Sequence, residues 1–287
     1  MSTAAARVSD LGRAADERGE VVAVEHLGGG LVELAVRLPH IAAAARPGEF
    51  AQLRCGPPPL PLLRRPFSVA WVEGEVCGFV FEPVGEGTRR LAALRRGDGL
   101  QALGPLGVGF TLPAAGARVL CVAGGLGCAP FPLAARRARE AGCPEVVVLH
   151  GAATAARLYP AKRFSRGDAG IRVVEATDDG SRGHRGFVTE LAAAELGGVA
   201  AVWACGPNPM LGALASVLRD SAAVLPPIVE ASLEAPMGCG FGTCLGCALP
   251  MLDRGGRFAL CCREGPVMAV AAVDWEALAQ LPPAHVA

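Results

Sequence analysis

What this chain lacks narrows its reading before any motif is weighed. Lysine plus arginine and aspartate plus glutamate stand at 27 each, leaving no net charge at pH 7. Without an overall field there is no electrostatic footprint for nucleic acid or for an anionic membrane surface, so a partner has to be recognised locally. Long apolar runs are also missing. The most apolar uncharged stretch, residues 119–135, is interrupted by Gly124, Gly125, Gly127, Pro130 and Pro132, which reads as a strand, a turn and a helix start rather than a membrane span. There is no recognisable secretory leader, no internal repeat and no low-complexity linker. The cysteines number 11, an odd count in a chain of 287 residues, so reduced thiols and a cytoplasmic location are expected rather than a disulfide scaffold. His26, His40, His150, His184 and His285 fall at no ligand spacing, and none is assigned a catalytic role.

What is present is concentrated near the end of the chain. From Met237 to Met268 the sequence reads MGCGFGTCLGCALPMLDRGGRFALCCREGPVM, with Cys239, Cys244 and Cys247 in one tight stretch and the adjacent pair Cys261 and Cys262 beyond. Four, two and fourteen intervening residues, counted to Cys262, match the thiolate spacing of a plant-type two-iron two-sulfur cluster. Gly238, Gly240, Gly242 and Gly246 let the backbone curl and bring N–H groups near the inorganic sulfides. A structural zinc site usually carries a second C-x2-C pair, which is absent. Counting alone leaves Cys261 and Cys262 as alternatives for the fourth ligand.

Upstream, the hydrophobic rhythm divides the chain. Residues 1–18 are small, polar and charged without a sustained period, and are expected to be a flexible extension. Residues 19–113 contain short apolar or alternating runs at 21–27, 31–38, 50–55, 67–73 and 76–84, separated by turn residues, which predicts a small antiparallel barrel. From 114 to 228 strands at 118–124, 145–151, 171–177 and 199–206 alternate with helices expected near 130–141, 187–195 and 208–220, as in a parallel sheet covered on both faces. Residues 229–287, opening with a strand at 228–234, form the cysteine-bearing region.

Four glycine or proline motifs stand at element ends. Arg64-Arg65-Pro66-Phe67-Ser68 begins a strand, where an arginine and a hydroxyl suit phosphate and ring-edge oxygens and an aromatic suits a planar ring. Gly85-Glu86-Gly87-Thr88 feeds a helical run, with Thr88 expected as N-cap. Gly124-Gly125-Leu126-Gly127 and Cys205-Gly206-Pro207 each follow a strand, the place where open α/β sheets bind nucleotides, and Pro130 is expected in the first turn of the next helix. Arg157 is either a contact for a nucleotide 2′-phosphate or a solvated residue, so NAD and NADP stay open on the residues alone.

In their order, these motifs resemble the ferredoxin–NADP reductase superfamily and, within it, the electron-transfer subunits of dihydroorotate dehydrogenase, over roughly residues 18–270. The resemblance implies a multidomain β plus α/β chain: an antiparallel flavin-binding β-barrel, a Rossmann-like nucleotide domain and a small 2Fe-2S unit. It implies FAD at Arg65, Pro66, Phe67 and Ser68, with Val80, Phe81 and Glu82 lining the isoalloxazine and Gly87 and Thr88 at its phosphates. NAD falls to Gly124, Gly125 and Gly127, with Cys205, Gly206 and Pro207 facing the nicotinamide. The last cluster cysteine of such chains stands two residues before Gly-Pro-Val, which selects Cys262, so the ligand set is Cys239, Cys244, Cys247 and Cys262. The implied role is to pass electrons from the FMN of a dihydroorotate-oxidising catalytic partner, in a heterotetramer of two chains of each kind, through the cluster and FAD to NAD+ in pyrimidine biosynthesis. Because nicotinamide exchanges two electrons and a two-iron cluster one, a flavin has to stand between them. The nearest alternative is a diaphorase subunit of a sulfhydrogenase or of an NADH-dependent ferredoxin:NADP oxidoreductase. An alternative of another class is a binding module with a structural metal.

Overall fold

The computed structural model describes residues 7–57, 61–221, 224–252, 255 and 257–281. Seven antiparallel strands form the first sheet: β1 (Ala15–His26), β2 (Val32–Arg37), β3 (Phe50–Leu53), β4 (Arg65–Ser68), β5 (Trp71–Glu73), β6 (Val76–Phe81) and β7 (Gly99–Leu106). Their order is β4-β3-β7-β1-β2-β6-β5. The long β1 makes the corner, pairing with β7 through Ala15–Glu20 and with β2 through Glu20–His26. Two short helices, α1 (Pro39–Ala44) and α2 (Glu86–Ala92), lie in the connections. The expected strand at 67–73 is broken in two, because Val69 N donates to Glu49 O and Ala70 N to Gly78 O, so the chain changes neighbours there.

The flexible extension expected over residues 1–18 needs correcting for residues 7–18. Arg7 binds Glu230 at 2.6 Å, Ser9 is buried, Arg13 binds the buried Glu49 at 2.7 Å, and β1 starts at Ala15. Residues 1–6 lie outside the described residues. The hydrophobic period is missing for a physical reason: Glu17 receives the His40 and Ile41 N–H groups at 3.0 and 3.1 Å and so caps α1 instead of packing.

The second sheet runs β11-β10-β9-β8-β12-β13-β16. Its strands are β8 (Arg118–Gly124), β9 (Val146–Ala152), β10 (Ile171–Thr177), β11 (His184–Arg185), β12 (Val199–Cys205), β13 (Ile228–Ser232) and β16 (Val267–Ala269), with a separate hairpin of β14 (Ala248–Pro250) and β15 (Phe258–Leu260). All neighbours in that sheet are parallel except β13 and β16. Helices α3 (Phe131–Glu140), α4 (Ala161–Ser165), α5 (Asn208–Asp220), α6 (Cys261–Glu264) and α7 (Trp275–Ala279) complete the chain. The helix expected near 187–195 is instead two 3-10 turns, Val188–Leu191 and Ala193–Glu195. Val188 packs closely on Gly151, where an added Cβ would come within 2.6 Å of it.

The cysteine-bearing region is not a detached third domain. Residues 233–266 form an insertion between β13 and β16, two hydrogen-bonded neighbours of the second sheet. One apolar core joins Leu31, Ala70, Trp71 and Val80 of the barrel to Phe131, Tyr159, Phe164 and Trp203 of the second sheet. Another joins Phe50 and Leu106 to Cys247, Leu249, Cys261 and Cys262. Each fully buried large side chain, such as Trp203 or Phe131, contributes about 1.5–3 kcal/mol. The three parts are therefore cemented together by shared burial.

Candidate functional site: two nucleotide clefts and a cysteine loop

On the barrel, the four residues of β4 are all half-buried. Arg64 is held by Asp16 through two bonds of 2.8 and 2.9 Å. Arg65 donates only to the carbonyls of Leu63 and Arg64, which leaves its charge without a carboxylate among the described residues and suited to a phosphate. Gly87 brings α2 over it: an added Cβ would stand 3.2 Å from Cys55 Sγ and 3.7 Å from Arg65 Cγ. Thr88 is not the N-cap. Gly85 holds that position, and Thr88 in the first turn accepts from Gly85 N at 3.0 Å and donates to Gly85 O at 3.1 Å.

The residues expected to line the isoalloxazine are arranged unevenly. Phe67 meets Phe81 with ring centroids 5.2 Å apart. Phe81 and Val80 are buried, the first in the barrel core and the second in the core shared with the second sheet. Pro66 and Ser68 lie opposite Gln52 and Phe50 of β3. Glu82 is part-exposed and bound to Arg157 at 2.7 Å. Arg157 is exposed, as the solvated reading expects, and its guanidinium also bridges the second sheet's domain to the barrel.

In the second sheet the strand order reverses between β8 and β12, the topological switch point at which such sheets take nucleotides. Both predicted turns meet there. A Cβ on Gly127 would lie 2.2 Å from Cys205 O, and one on Gly124 would lie 2.2 Å from Met210 Sδ. Gly206 packs on the same methionine, and Gly125 takes a positive φ of 53°. Pro207 and Pro130 stand as the N-caps of α5 and α3, so Pro130 sits one position earlier than expected and a 3-10 turn at Gly125–Cys128 precedes it. Burial pushes the Cys205 thiol up to about 12, so it is a neutral sulfhydryl at physiological pH.

Around the cysteine loop one pair of sulfurs meets directly and a third sulfur accepts a backbone N–H. Cys247 and Cys262 have their sulfurs 3.3 Å apart, and the Cys262 N–H donates to Cys247 Sγ at 3.5 Å. Cys244 N donates to Cys239 Sγ at 3.5 Å. Gly238 and Gly246 flank Cys244, where added Cβ atoms would stand 3.5 and 3.7 Å from its sulfur. The neighbouring Cys262 holds the Cys247 thiol down to about 6, against the opposing effect of burial. Cys261 faces away: its sulfur donates to Leu233 O at 3.5 Å, and burial pushes its thiol up. Cys239 is half-buried and Cys244 exposed, and Phe241, Leu245, Leu252 and Phe258 leave apolar surface on this part of the chain.

Sequence reasoning missed two groups. Glu33, buried on β2, receives Tyr159 Oη at 2.5 Å and Arg163 Nη1 at 2.6 Å from across the domain boundary. Gln52, fully buried on β3, has neither amide atom paired. A polar residue inside an otherwise apolar strand is the one signal that each gives in sequence.

An antiparallel barrel with a half-buried arginine strand, joined to a switch-point sheet, defines a reductase of the ferredoxin–NADP reductase class. A structure of the NADH-dependent reduced ferredoxin-NADP oxidoreductase superposes with a TM-score of 0.78 at 26% identity, covering 93% of each chain. The ferredoxin NADP+ reductase of Neisseria gonorrhoeae, with bound FAD and NADP, shares the fold at a TM-score of 0.61 and 17% identity, over 76% of this chain and 98% of that one. Residues 234–274 match the iron-sulfur cluster binding domain of dihydroorotate dehydrogenase B. The electron transfer subunit of dihydroorotate dehydrogenase B (NAD(+)) from Desulforamulus reducens is 39% identical, over 83% of this chain and 90% of its own length. That of Geobacillus thermodenitrificans is 35% identical over 88% and 95%. The chain belongs to the family of dihydroorotate dehydrogenase B electron transfer subunits.

Proposed function

We propose that this chain carries electrons from a dihydroorotate-oxidising catalytic subunit to NAD+, using FAD and a 2Fe-2S cluster. When bound, the flavin supplies the exchange between two-electron hydride chemistry and the single electrons of a two-iron cluster. The observation that carries this reading is the gathering of the cysteines. Cys247 and Cys262 bring their sulfurs within 3.3 Å of each other, and Cys239 Sγ accepts the Cys244 N–H. The set has the spacing of a plant-type two-iron site and is without the second C-x2-C pair usual for structural zinc. Cys261, bonded to Leu233 O, stays outside that set.

The remaining roles belong to the chain's own groups. Arg65, with Gly87 and the first turn of α2, holds the FAD pyrophosphate, and Pro66, Phe67 and Ser68 support its ring system. Val80 and Phe81 back that strand from within the cores, and Glu82 is held in place by Arg157. Gly124, Gly125 and Gly127 let the dinucleotide backbone approach the β8 turn, while Cys205, Gly206 and Pro207 present a neutral thiol and a tight turn to the nicotinamide. The exposed Cys244 and the apolar side chains near it face the partner.

The partner carries FMN, and two copies of each chain form a cytoplasmic heterotetramer. Purified and loaded alone, this chain oxidises NADH with an artificial acceptor and does not turn over dihydroorotate; adding the catalytic subunit restores dihydroorotate-dependent NAD+ reduction. Turnover of dihydroorotate by the chain alone would refute this. The likeness to the NADH-dependent ferredoxin-NADP oxidoreductase supports a second reading, a diaphorase subunit of such an enzyme. The relatives at 35–39% identity favour the first, and the identity of the co-purifying partner separates the two.

A further inference from the structure

Gln52 sits in the middle of β3 with no exposed surface, and its Oε1 and Nε2 both lack a hydrogen-bond partner. An unpaired buried amide is costly, so its place in a strand otherwise made of Phe50, Ala51 and Leu53 points to a partner outside the polypeptide. Strand alternation puts Gln52 on the same face as Phe50, which packs in the core that includes Cys247 and Cys262. Its cross-strand neighbours are Pro66 of the arginine strand β4 and Leu103 of β7. Over that face lies Gly240, the residue after Cys239. A Cβ there would stand 2.6 Å from Gln52 Nε2 and 2.7 Å from its Cγ, and Gly240 takes a φ of 84°. Only a glycine admits this approach, and it brings the amide of a barrel strand directly against the cysteine loop.

We propose that Gln52 donates its Nε2–H to a sulfur at the Cys239 end of the iron-sulfur cluster, and so tunes the potential at which the cluster accepts an electron. The inference rests on the cluster assignment above. A reduced cluster carries one more negative charge on its iron and sulfur atoms, so an N–H aimed at a sulfur stabilises the reduced form more than the oxidised one and raises the potential. Gln52 is a positioning and tuning residue. It moves neither proton nor hydride.

The test is Gln52→Met, which keeps length and volume but removes both amide atoms, in the FAD- and cluster-loaded chain. A redox titration followed by electron paramagnetic resonance is expected to show unchanged iron and FAD content and a cluster potential moved downward. Only the difference in hydrogen-bond strength between the reduced and oxidised cluster moves the potential; a tenfold difference in that preference corresponds to about 59 mV for one electron. Gln52→Glu, with the same shape and an added negative charge, moves it further down. The cluster-free Gln52→Met chain melts at or above the cluster-free wild type, because an unpaired polar group has been removed. An unmoved potential, a flavin shift in place of a cluster shift, or a lower melting temperature in the cluster-free variant would each overturn the proposal. A wild-type chain that holds no iron-sulfur cluster would overturn the cluster assignment together with it.

Discussion

Glu33→Ala tests how the barrel and the nucleotide sheet are held at a fixed angle. Glu33 is 4% exposed and accepts Tyr159 Oη at 2.5 Å and Arg163 Nη1 at 2.6 Å, while Arg163 also binds Glu25. Burial and the Glu33 carboxylate both push the Tyr159 hydroxyl up, so it remains a donor throughout the physiological range. Truncation leaves a fully buried tyrosine hydroxyl and a guanidinium with 19% of its side chain exposed facing a void. Breaking a buried pair from one side typically costs about 3–5 kcal/mol. At about 2–4 °C per kcal/mol for a chain of this size class, the melting temperature should fall by roughly 6–20 °C. Glu33→Gln keeps the volume and one acceptor and should fall by less than half of that. Because the same contacts fix the nucleotide cleft against the flavin strand, NADH oxidation with an artificial acceptor should slow in both variants at temperatures where they remain folded. A Glu33→Ala chain that melts with wild type and reduces the acceptor at the wild-type rate would refute the clamp.

Three further outcomes follow from the geometry. Gly127→Ala would put a methyl 2.2 Å from the Cys205 carbonyl oxygen; forcing the two turns apart costs about 1–3 kcal/mol, so the KM for NADH should rise roughly tenfold or more while FAD content stays constant. His150 is fully buried and its pKa is lowered from 6.5 to about 4 by burial. The folded state therefore refuses a proton that the unfolded state accepts, and stability that is complete above pH 6.5 is lost as pH falls towards 4, by about 3 kcal/mol; melting curves across that window should show the slope, and His150→Phe should flatten it. Charged substitutions at Leu245 and Phe258, which are 63% and 59% exposed, should leave NADH oxidation intact and weaken co-purification with the catalytic subunit.

Sequence period and turn chemistry carried most of the architecture, because the core residues of β8 and β12 are apolar in the pattern their burial demands. Where a polar group does structural work, the pattern failed. Glu17 and Arg13 order the start of the chain through bonds to α1 and Glu49, which no hydrophobic period announces. After Phe187 the chain forms two 3-10 turns where a helix was expected, and no sequence period distinguishes the two. In the site, the glycines at 124, 127 and 206 were legible because close backbone approach leaves few other choices. Gln52, Glu33 and the Arg157–Glu82 bridge were not, since each draws its meaning from a residue far along the chain. The choice between Cys261 and Cys262 shows the same division: counting left both open, the resemblance selected Cys262, and the position of each sulfur, beside Cys247 or beside Leu233 O, supports that selection.

The relay itself is tested most directly by reducing the FAD- and cluster-loaded chain with NADH under anaerobic conditions while recording flavin absorbance and the low-temperature electron paramagnetic resonance signal of a reduced two-iron cluster. Wild type and Cys261→Ser should lose flavin absorbance and gain the cluster signal, whereas Cys262→Ser should lose flavin absorbance and gain none. A cluster signal that persists in Cys262→Ser and vanishes in Cys261→Ser, or a wild-type chain whose flavin is reduced without any cluster signal, would contradict the account.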